Sequence, residues 1–325
     1  MALVALIILL VLLLILGVII FLDVRSAKKN HTQYHVKETL LAFALMLPAL
    51  VLAFLFVIIP ILYSLGYSFT DYYTFASEGT PINFTFENFG KLIEEINRGD
   101  DLAYAIRNTA IFVVLVVPLQ IGVALLLALF CNIQKKGSVI FKICFFAPVV
   151  VSLTVSSMLW TYIYDPSEFG VLNSIFIKLG IPKQDFLQDE KLAMIWIVIM
   201  SAWQGAGYQM LIFLSALSNT RKDLYEAASL DGCSRWTKFR IVTLPALKPT
   251  FIYILVTVFI GACRVMIQPM IMTGYKHETV TISYYMYQVG KVSGLVGKSS
   301  TVALIMTIII GAITFFQRKV LGKEK

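Results

Sequence analysis

Long stretches without a single Asp, Glu, Lys or Arg dominate this chain of 325 residues. Crossing a bilayer takes about 20 predominantly apolar residues in an α-helix. The chain offers seven such stretches, and they predict an all-α integral membrane protein with seven transmembrane helices. The stretches are 1–22, 39–70, 108–134, 143–164, 192–220, 299–317 and 249–275, the last of which contains one charged residue, Arg264.

The composition excludes the main alternatives to a membrane protein. Hydrophobic residues make up 58% of the chain and charged residues only 14%, whereas soluble domains carry about 25% charged residues. A soluble globular enzyme is therefore excluded, and so is a disordered chain, which needs low hydrophobicity.

The net charge of +8 does not indicate a nucleic-acid partner, because the charges sort by membrane side. With the N-terminus outside, the segments 23–38, 135–142, 221–248 and 318–325 lie inside and hold 17 basic and 6 acidic residues. The segments predicted to lie outside hold 9 basic and 13 acidic residues. One of them, 276–298, has the opposite balance, with three Lys against one Glu. Under the positive-inside rule, this distribution predicts a cytoplasmic C-terminus.

The N-terminal stretch differs from a cleavable signal peptide, because no basic residue precedes it and Arg25, Lys28 and Lys29 follow it. We expect an uncleaved additional helix with a basic cytoplasmic linker over residues 1–38, followed by a core of six transmembrane helices over 39–325.

The chain shows no pattern typical of a metal or disulfide site. The four cysteines are isolated from one another, and the three histidines have no neighbours of metal-ligand type. We therefore expect no metal and no cofactor on this chain.

The longest cytoplasmic segment, residues 219–247, lies between the fifth and sixth predicted helices and is called the knob below. Thr220 with Asp223 three residues later matches a capping box and predicts a short helix over 221–230. Gly232 is placed to end that helix in the left-handed conformation.

A second short helix is predicted over residues 235–243, with Ser234 as its cap. Pro245 is expected to break this helix and to turn the chain back toward the membrane. The result is a stiff helical projection that suits docking better than chemistry, since it contains no pair of nucleophile and base.

One face of the first short helix is expected to contact a partner protein. Leu224, Tyr225 and Ala228 are spaced by three and four residues, which places them together on a helix surface. Ala227 and Ala228 are small, so a partner could approach closely.

The knob resembles the EAA loop of binding-protein-dependent ABC importer permeases at nearly every position, and it precedes the penultimate helix as in that family. The matching residues are Glu226, Ala227, Ala228, Asp231, Gly232, Phe239, Ile241, Leu244 and Pro245.

Shorter matches elsewhere resemble the sugar-transporting branch, which contains maltose-type and glycerol-phosphate-type permeases, over roughly residues 40–320. They are Phe86–Phe89, Asn108-Thr109, Phe169–Asn173, Trp203–Gly205, Leu224-Tyr225 and Met272–Gly274.

This resemblance implies a type I ABC importer permease fold and a heteromeric importer of a sugar or oligosaccharide in a prokaryotic inner membrane. It implies a second homologous permease subunit, two cytoplasmic ATPase subunits that hold ATP and Mg, an extracytoplasmic solute-binding protein and surrounding lipid. Glu226 would anchor the knob in a groove of the ATPase. The implied coupling residues are Leu224, Tyr225, Glu226, Ala227, Ala228, Asp231, Gly232, Leu244 and Pro245.

Polar residues inside predicted membrane helices are candidate solute contacts. In the fifth helix they are Ser201, Gln204, Gly205 and Tyr208, and Gln204 and Tyr208 share a face. The stretch Trp203–Gly205 resembles the sugar-binding helix of maltose-type permeases. Helix packing is the other interpretation, because small residues are common where membrane helices meet.

In the sixth predicted helix the candidates are Arg264 and Gln268. An Arg deep in a membrane helix is costly and usually faces a cavity or a partner. Its guanidinium can bind sugar hydroxyls or a carboxylate, and a pair with the sister subunit is equally compatible with the sequence.

Two further readings stay open for the function as a whole: a channel or facilitator that acts alone, and an importer of another solute such as a phosphorylated polyol. A nucleotide site on this chain is disfavoured. Gly294–Ser299 resembles the end of a phosphate-binding loop, but Val292 stands where that pattern needs its first glycine.

Overall fold

The structure, a computed structural model, describes residues 36–77, 80–132 and 138–321 and a few positions between 17 and 25. These described residues form helices and no strand longer than an isolated bridge, which confirms the all-α prediction. The helices are α1 Val36–Ala53, α2 Ile59–Tyr67, α3 Glu87–Arg98, α4 Asp101–Cys131, α5 Ser138–Val150, α6 Leu153–Ile163, α7 Val171–Lys178, α8 Ala193–Ser218, α9 Lys222–Leu230, α10 Arg235–Lys238, α11 Leu244–Cys263, α12 Ile267–Met272, α13 Ile282–Tyr287 and α14 Val296–Leu321.

The chain divides into two compact units, Met1–Phe69 and Thr70–Lys325. In the first unit, α1, the π-helical turn Phe54–Ile58 and α2 form one apolar span. Most of the predicted first membrane helix, 1–22, lies outside the described residues. The predicted boundary near residue 38 stays a prediction.

The second unit is built around α8, which packs against α4, α5 and α11. Most of the apolar stretch of α8 is buried, 61%, compared with 17% for α14. Two glycines allow the close packing: a Cβ at Gly205 would lie 2.3 Å from the Gln120 amide, and one at Gly207 would lie 2.3 Å from the Phe145 carbonyl oxygen. Small residues thus set the helix spacing, as is common in membranes.

The predicted count of seven spans is not confirmed. The described residues contain five helices long and apolar enough to cross a membrane, or six if α5 and α6 are counted as one bent span. These two helices replace the single helix predicted from the stretch 143–164, and they meet at an angle of 100°. Ser152 caps α6 by accepting a hydrogen bond from the Val155 amide at 3.3 Å, so a polar residue inside the apolar run starts a new helix.

The bounds of the helix predicted from the stretch 249–275 are wrong at both ends. The helix extends from Arg235 to Cys263, and α12 is a separate element beyond Arg264. Hydrophobicity alone could not place this end, because the apolar residues continue past Arg264 into α12.

Candidate functional site

The first helix of the knob, α9, starts differently from the predicted capping box. The cap position is Arg221, and the hydroxyl of Thr220 instead donates to the Ala216 carbonyl at 3.1 Å. The Arg221 guanidinium pairs with Asp223, with Nε 3.1 Å from a carboxylate oxygen. This hydrogen bond lowers the pKa of the Asp223 carboxyl below its usual value. Asp223 thus adds negative charge to the first turn, where it favours the helix.

The end of α9 is as predicted. Gly232 has φ +72°, a left-handed conformation that strains any residue with a Cβ. The Cys233 amide donates to the Ala228 carbonyl at 3.0 Å and the Gly232 amide to the Ser229 carbonyl at 3.1 Å, a Schellman pattern. The chain therefore reverses sharply before Ser234, whose hydroxyl caps α10 by accepting from the Thr237 amide at 3.1 Å.

The inner face of α9 fixes the knob to its own chain. The Tyr225 hydroxyl lies 2.9 Å from the Thr243 hydroxyl, and Ala228 is buried. Lys238 Nζ donates to the Ser229 hydroxyl at 2.7 Å. The expectation that Tyr225 and Ala228 share an outward face with Leu224 is therefore wrong, because their spacing directs them against the helix that follows.

The outer face of α9 is exposed in this chain and comprises Asp223, Glu226, Ala227 and Leu230. These residues stand at positions i, i+3, i+4 and i+7, which form one stripe on a helix. Leu230 is 89% exposed, and within the described residues the Glu226 carboxylate has no ion pair or side-chain hydrogen bond. The outer face therefore leaves an apolar side chain and a carboxylate accessible to a partner protein.

The knob continues into the membrane without a break. The π-helical turn Phe239–Thr243 joins α10 to α11, so the helical path runs from Arg235 to Cys263. The expectation that Pro245 breaks this path is wrong: Pro245 lies in the first turn of α11, where a missing backbone N–H costs little. A force on the knob can therefore pass directly to α11.

The candidate contacts on α8 serve packing to a large extent. The Ser201 hydroxyl donates to the Ile197 carbonyl at 2.7 Å, and Gly205 faces Gln120. The Gln204 amide donates at 3.3 Å to the Val151 carbonyl, at the break between α5 and α6. Tyr208 is exposed and lines a shallow hollow. The Val151 carbonyl lies at the bend, where the helical hydrogen bonds are interrupted, and the Gln204 side chain supplies a hydrogen-bond donor for it.

Arg264 lies at the end of α11, outside the regular helix, rather than deep within one. The 20 residues of α11 span about 30 Å, so Arg264 lies a membrane thickness away from the knob. It lines an open surface cavity of about 550 Å³ together with Ser283, Tyr287, Lys291 and Ser299. Gln268, on α12, is not among the lining residues of this cavity, and Tyr208 lines a different one.

Lys291 is the residue that the sequence reasoning missed. It belongs to 276–298, the predicted external segment with an excess of Lys. The excess of Lys in this segment could have indicated a functional cation. Lys298 of the segment is paired with Glu95, whereas Lys291 lines the same cavity as Arg264.

Beside the cavity, polar side chains of α3, α4, α13 and α14 bond one another in a cluster that we call the far polar layer. Glu95 accepts hydrogen bonds from the Tyr285 hydroxyl and from Lys298, each at 2.5 Å. The Tyr275 hydroxyl donates to Asp101 at 2.9 Å, and His277 Nε2 lies 3.0 Å from the same carboxylate. Burial first, and then the adjacent carboxylates, raise the pKa of the Tyr275 and Tyr285 hydroxyls.

Buried amide and hydroxyl groups complete the far polar layer. The Asn108 side chain donates to the carbonyls of His277 at 2.7 Å and Val280 at 3.0 Å. The Thr109 hydroxyl accepts from the Ile282 amide at 2.9 Å. The layer therefore ties the start of α4 to the segment that follows α12.

No group of three His, Cys, Asp or Glu side chains suited to a metal occurs within the described ranges. The four cysteines, all within the described ranges, form no disulfide.

Comparison with known proteins gives concordant results. Residues 102–324 match the family described as binding-protein-dependent transport system inner membrane component. The chain is 32% identical over 279 residues to the lactose transport system permease protein LacF of Rhizobium radiobacter, covering 83% of this chain and 90% of LacF. It is 31% identical over 225 residues to the arabinooligosaccharides transport system permease protein AraP of Bacillus subtilis (strain 168), covering 68% of this chain and 72% of AraP.

A solved structure shares the fold. A chain of the bacterial alginate ABC transporter, in complex with its alginate pentasaccharide-bound periplasmic protein, superimposes with a TM-score of 0.76 at 21% identity. The superposition covers 87% of this chain and 94% of that chain. The predicted ABC importer permease fold is therefore confirmed.

Proposed function

Because this chain belongs to the family of binding-protein-dependent transport system inner membrane components, we propose that it forms part of the membrane pathway of an ATP-driven importer for a sugar or oligosaccharide. It moves solute and makes or breaks no covalent bond. In the complete importer, a second permease subunit would complete the pathway. Two ATPase subunits, with ATP and Mg, would bind the cytoplasmic side, and a solute-binding protein would deliver the cargo from outside.

The observation that carries this proposal is the two-faced knob. Its inner face is fixed to the chain through Tyr225, Thr243 and Ala228, and its outer face presents Glu226 and Leu230. A rigidly mounted projection with a free outer face can receive an ATPase subunit and pass its motion to α11. A channel that acts alone has no need of such a surface, and this disfavours that alternative.

The cargo class is supported by the relatives. The LacF and AraP proteins carry names that refer to lactose and to arabino-oligosaccharides. Both are similar to this chain over most of its length, so we propose a carbohydrate as the solute here. A cytoplasmic knob and C-terminus follow from the charge asymmetry of the sequence.

Co-purification tests the proposed assembly. The tagged chain is extracted gently from its native membrane, and the recovered partners are identified by mass spectrometry. We expect a second permease and a soluble ATPase with a complete Walker motif. Recovery of the chain alone in repeated preparations would contradict the proposal and favour a self-sufficient pore.

A matched pair of variants locates the ATPase contact. Ala227→Arg places a bulky charge on the outer face of α9 and should abolish recovery of the ATPase while the sister permease is retained. Ala76→Arg is the control, since Ala76 is also exposed but lies outside the knob, in the segment 71–107. Equal ATPase recovery with both variants would contradict the docking role of α9.

A further inference from the structure

The cavity at the end of α11 contains two cationic side chains that have no partner. Within the described residues, neither the Arg264 guanidinium nor the Lys291 ammonium forms an ion pair or a side-chain hydrogen bond, and no acidic residue lines the cavity. Two other cations at this end are paired: Lys298 with Glu95 and Arg98 with Asp100. The charged side chains that line this cavity are therefore both cationic, and both are exposed.

The backbone brings Lys291 to this position through an unusual local structure. Lys291 lies in the π-helical turn Gln288–Val292, and such turns are rare and frequently found at functional sites. Gly290 in this turn packs directly against α14, because a Cβ there would lie 2.6 Å from the Ser299 hydroxyl. A glycine at this point lets the turn approach α14 and line the cavity beside Arg264.

The other polar groups of the cavity are hydroxyls. Ser283, Tyr287 and Ser299 contribute them, and the Ser299 hydroxyl already donates to the Met286 carbonyl at 2.8 Å, which leaves its oxygen able to accept. Hydroxyls suit the alcohol groups of a sugar. A guanidinium binds a carboxylate or phosphate in bidentate fashion, and an ammonium adds a point charge.

From this arrangement we infer that the cavity lined by Arg264 and Lys291 is a subsite for the anionic group, carboxylate or phosphate, of a hydroxyl-rich solute. This inference rests on the proposed function and narrows it: the imported carbohydrate is acidic rather than neutral. Both cationic side chains are exposed, so they are accessible to the anionic group of a bound solute. The cavity volume of about 550 Å³ is within the range of small-molecule sites.

The test uses the complete importer in proteoliposomes, with its ATPase subunits and its binding protein. Uptake is measured for oligouronides from digested acidic polysaccharides, for the same oligosaccharides after reduction of each carboxyl to a primary alcohol, and for glycerol phosphate. The reduced forms keep the linkage and ring while losing the charge. The glycerol phosphate arm separates a phosphate from a carboxylate.

The variants are Arg264→Gln and Lys291→Gln, with Lys291→Arg to keep the charge and Lys178→Gln as the control. Lys178 is exposed on α7 and does not line the cavity. We expect uptake of one anionic probe and little of the reduced forms. Each Gln variant should lower uptake about tenfold, as for a lost charge-assisted hydrogen bond, whereas Lys291→Arg and Lys178→Gln should transport normally.

Equal uptake of reduced and acidic oligosaccharides, unchanged in both Gln variants, would overturn this inference and leave the proposed function intact. Uptake of none of the sugars would overturn both. If Arg264→Gln fails to assemble with the sister subunit while Lys291→Gln transports normally, Arg264 is a structural partner and the inference is also overturned.

Discussion

The knob and the far polar layer differ in whether their polar side chains have partners within the chain. In the far polar layer, Glu95, Lys298 and Tyr285 bond one another and are largely removed from solvent. On the outer face of the knob, Glu226 has no side-chain partner within the described residues and Leu230 is 89% exposed. Helix α11 connects the two regions and is about one membrane thickness long.

The difference separates a scaffold from a docking surface. Polar groups that satisfy one another hold helix ends in a fixed arrangement, and their loss costs stability. Side chains on a rigid projection that have no partner in the chain can be substituted with little loss of stability. They remain available to contact another protein. Substitutions in the far polar layer should therefore lower stability, whereas substitutions in the knob should lower transport.

The largest expected effect comes from breaking the Glu95–Lys298 pair, whose side chains are only 18% and 15% exposed. Glu95→Leu leaves the Lys298 charge nearly buried and unpaired, and we expect a loss of about 3 kcal/mol. The thermal denaturation midpoint of the purified importer measures it. Replacing both residues by Met should recover most of the lost stability, because no unpaired charge remains. If the double variant is as unstable as Glu95→Leu, the unpaired Lys298 charge is not the cause of the loss.

The next largest effect is expected at Asn173, which is fully buried at the start of α7. Its side chain donates to the Gln184 carbonyl at 2.9 Å and accepts from the Gln184 amide at 3.0 Å. Asn173→Ala leaves these backbone groups unsatisfied, at a cost of about 2 kcal/mol. The same denaturation assay checks it, with the exposed Asn219→Ala as control. Similar midpoints for the two variants would show that burial does not decide the cost.

Substitutions in the knob should lower solute uptake rather than the denaturation midpoint. Gly232→Ala forces a Cβ into the left-handed conformation at a cost of about 1 kcal/mol, confined to the end of α9. We expect a several-fold loss of uptake with an unchanged denaturation midpoint. Gly122→Ala is the control, since Gly122 lies in α4 with open space around its Cβ position. A fall in the midpoint without a fall in uptake would reverse the division of roles.

The smallest effect is expected for Tyr225→Phe, which removes the hydrogen bond to Thr243 and leaves the packing of α9 in place. The loss of about 1 kcal/mol loosens the mounting of the knob. ATPase subunits should still co-purify, but ATP hydrolysed per solute imported should rise. Tyr253→Phe, on the exposed side of α11, should leave that ratio unchanged. An unaltered ratio in both variants would show that the knob needs no such attachment.

The turn between α9 and α10 could be predicted from the sequence because its signals are local. A left-handed Gly232 and a capping Ser234 depend on the residues next to them. The bend at Val151-Ser152 could not be predicted from hydrophobicity, since the apolar residues continue through it. Arg264 and Lys291 are 27 positions apart in the sequence, and only the folded chain brings them to one cavity.

Cysteine accessibility tests the division between knob and far end most directly. The four native cysteines are replaced by serine, and single cysteines are introduced at Leu230 on the knob or at Phe169, which is 95% exposed near the start of α7. Labelling by a membrane-impermeant maleimide is measured in vesicles of known orientation, with and without the ATPase subunits. Leu230→Cys should react only from the cytoplasmic side and become protected when the ATPase subunits bind, whereas Phe169→Cys should react only from outside and stay reactive. Labelling of Leu230→Cys that is unchanged by the ATPase subunits, or that occurs from outside, would contradict the knob as their docking surface.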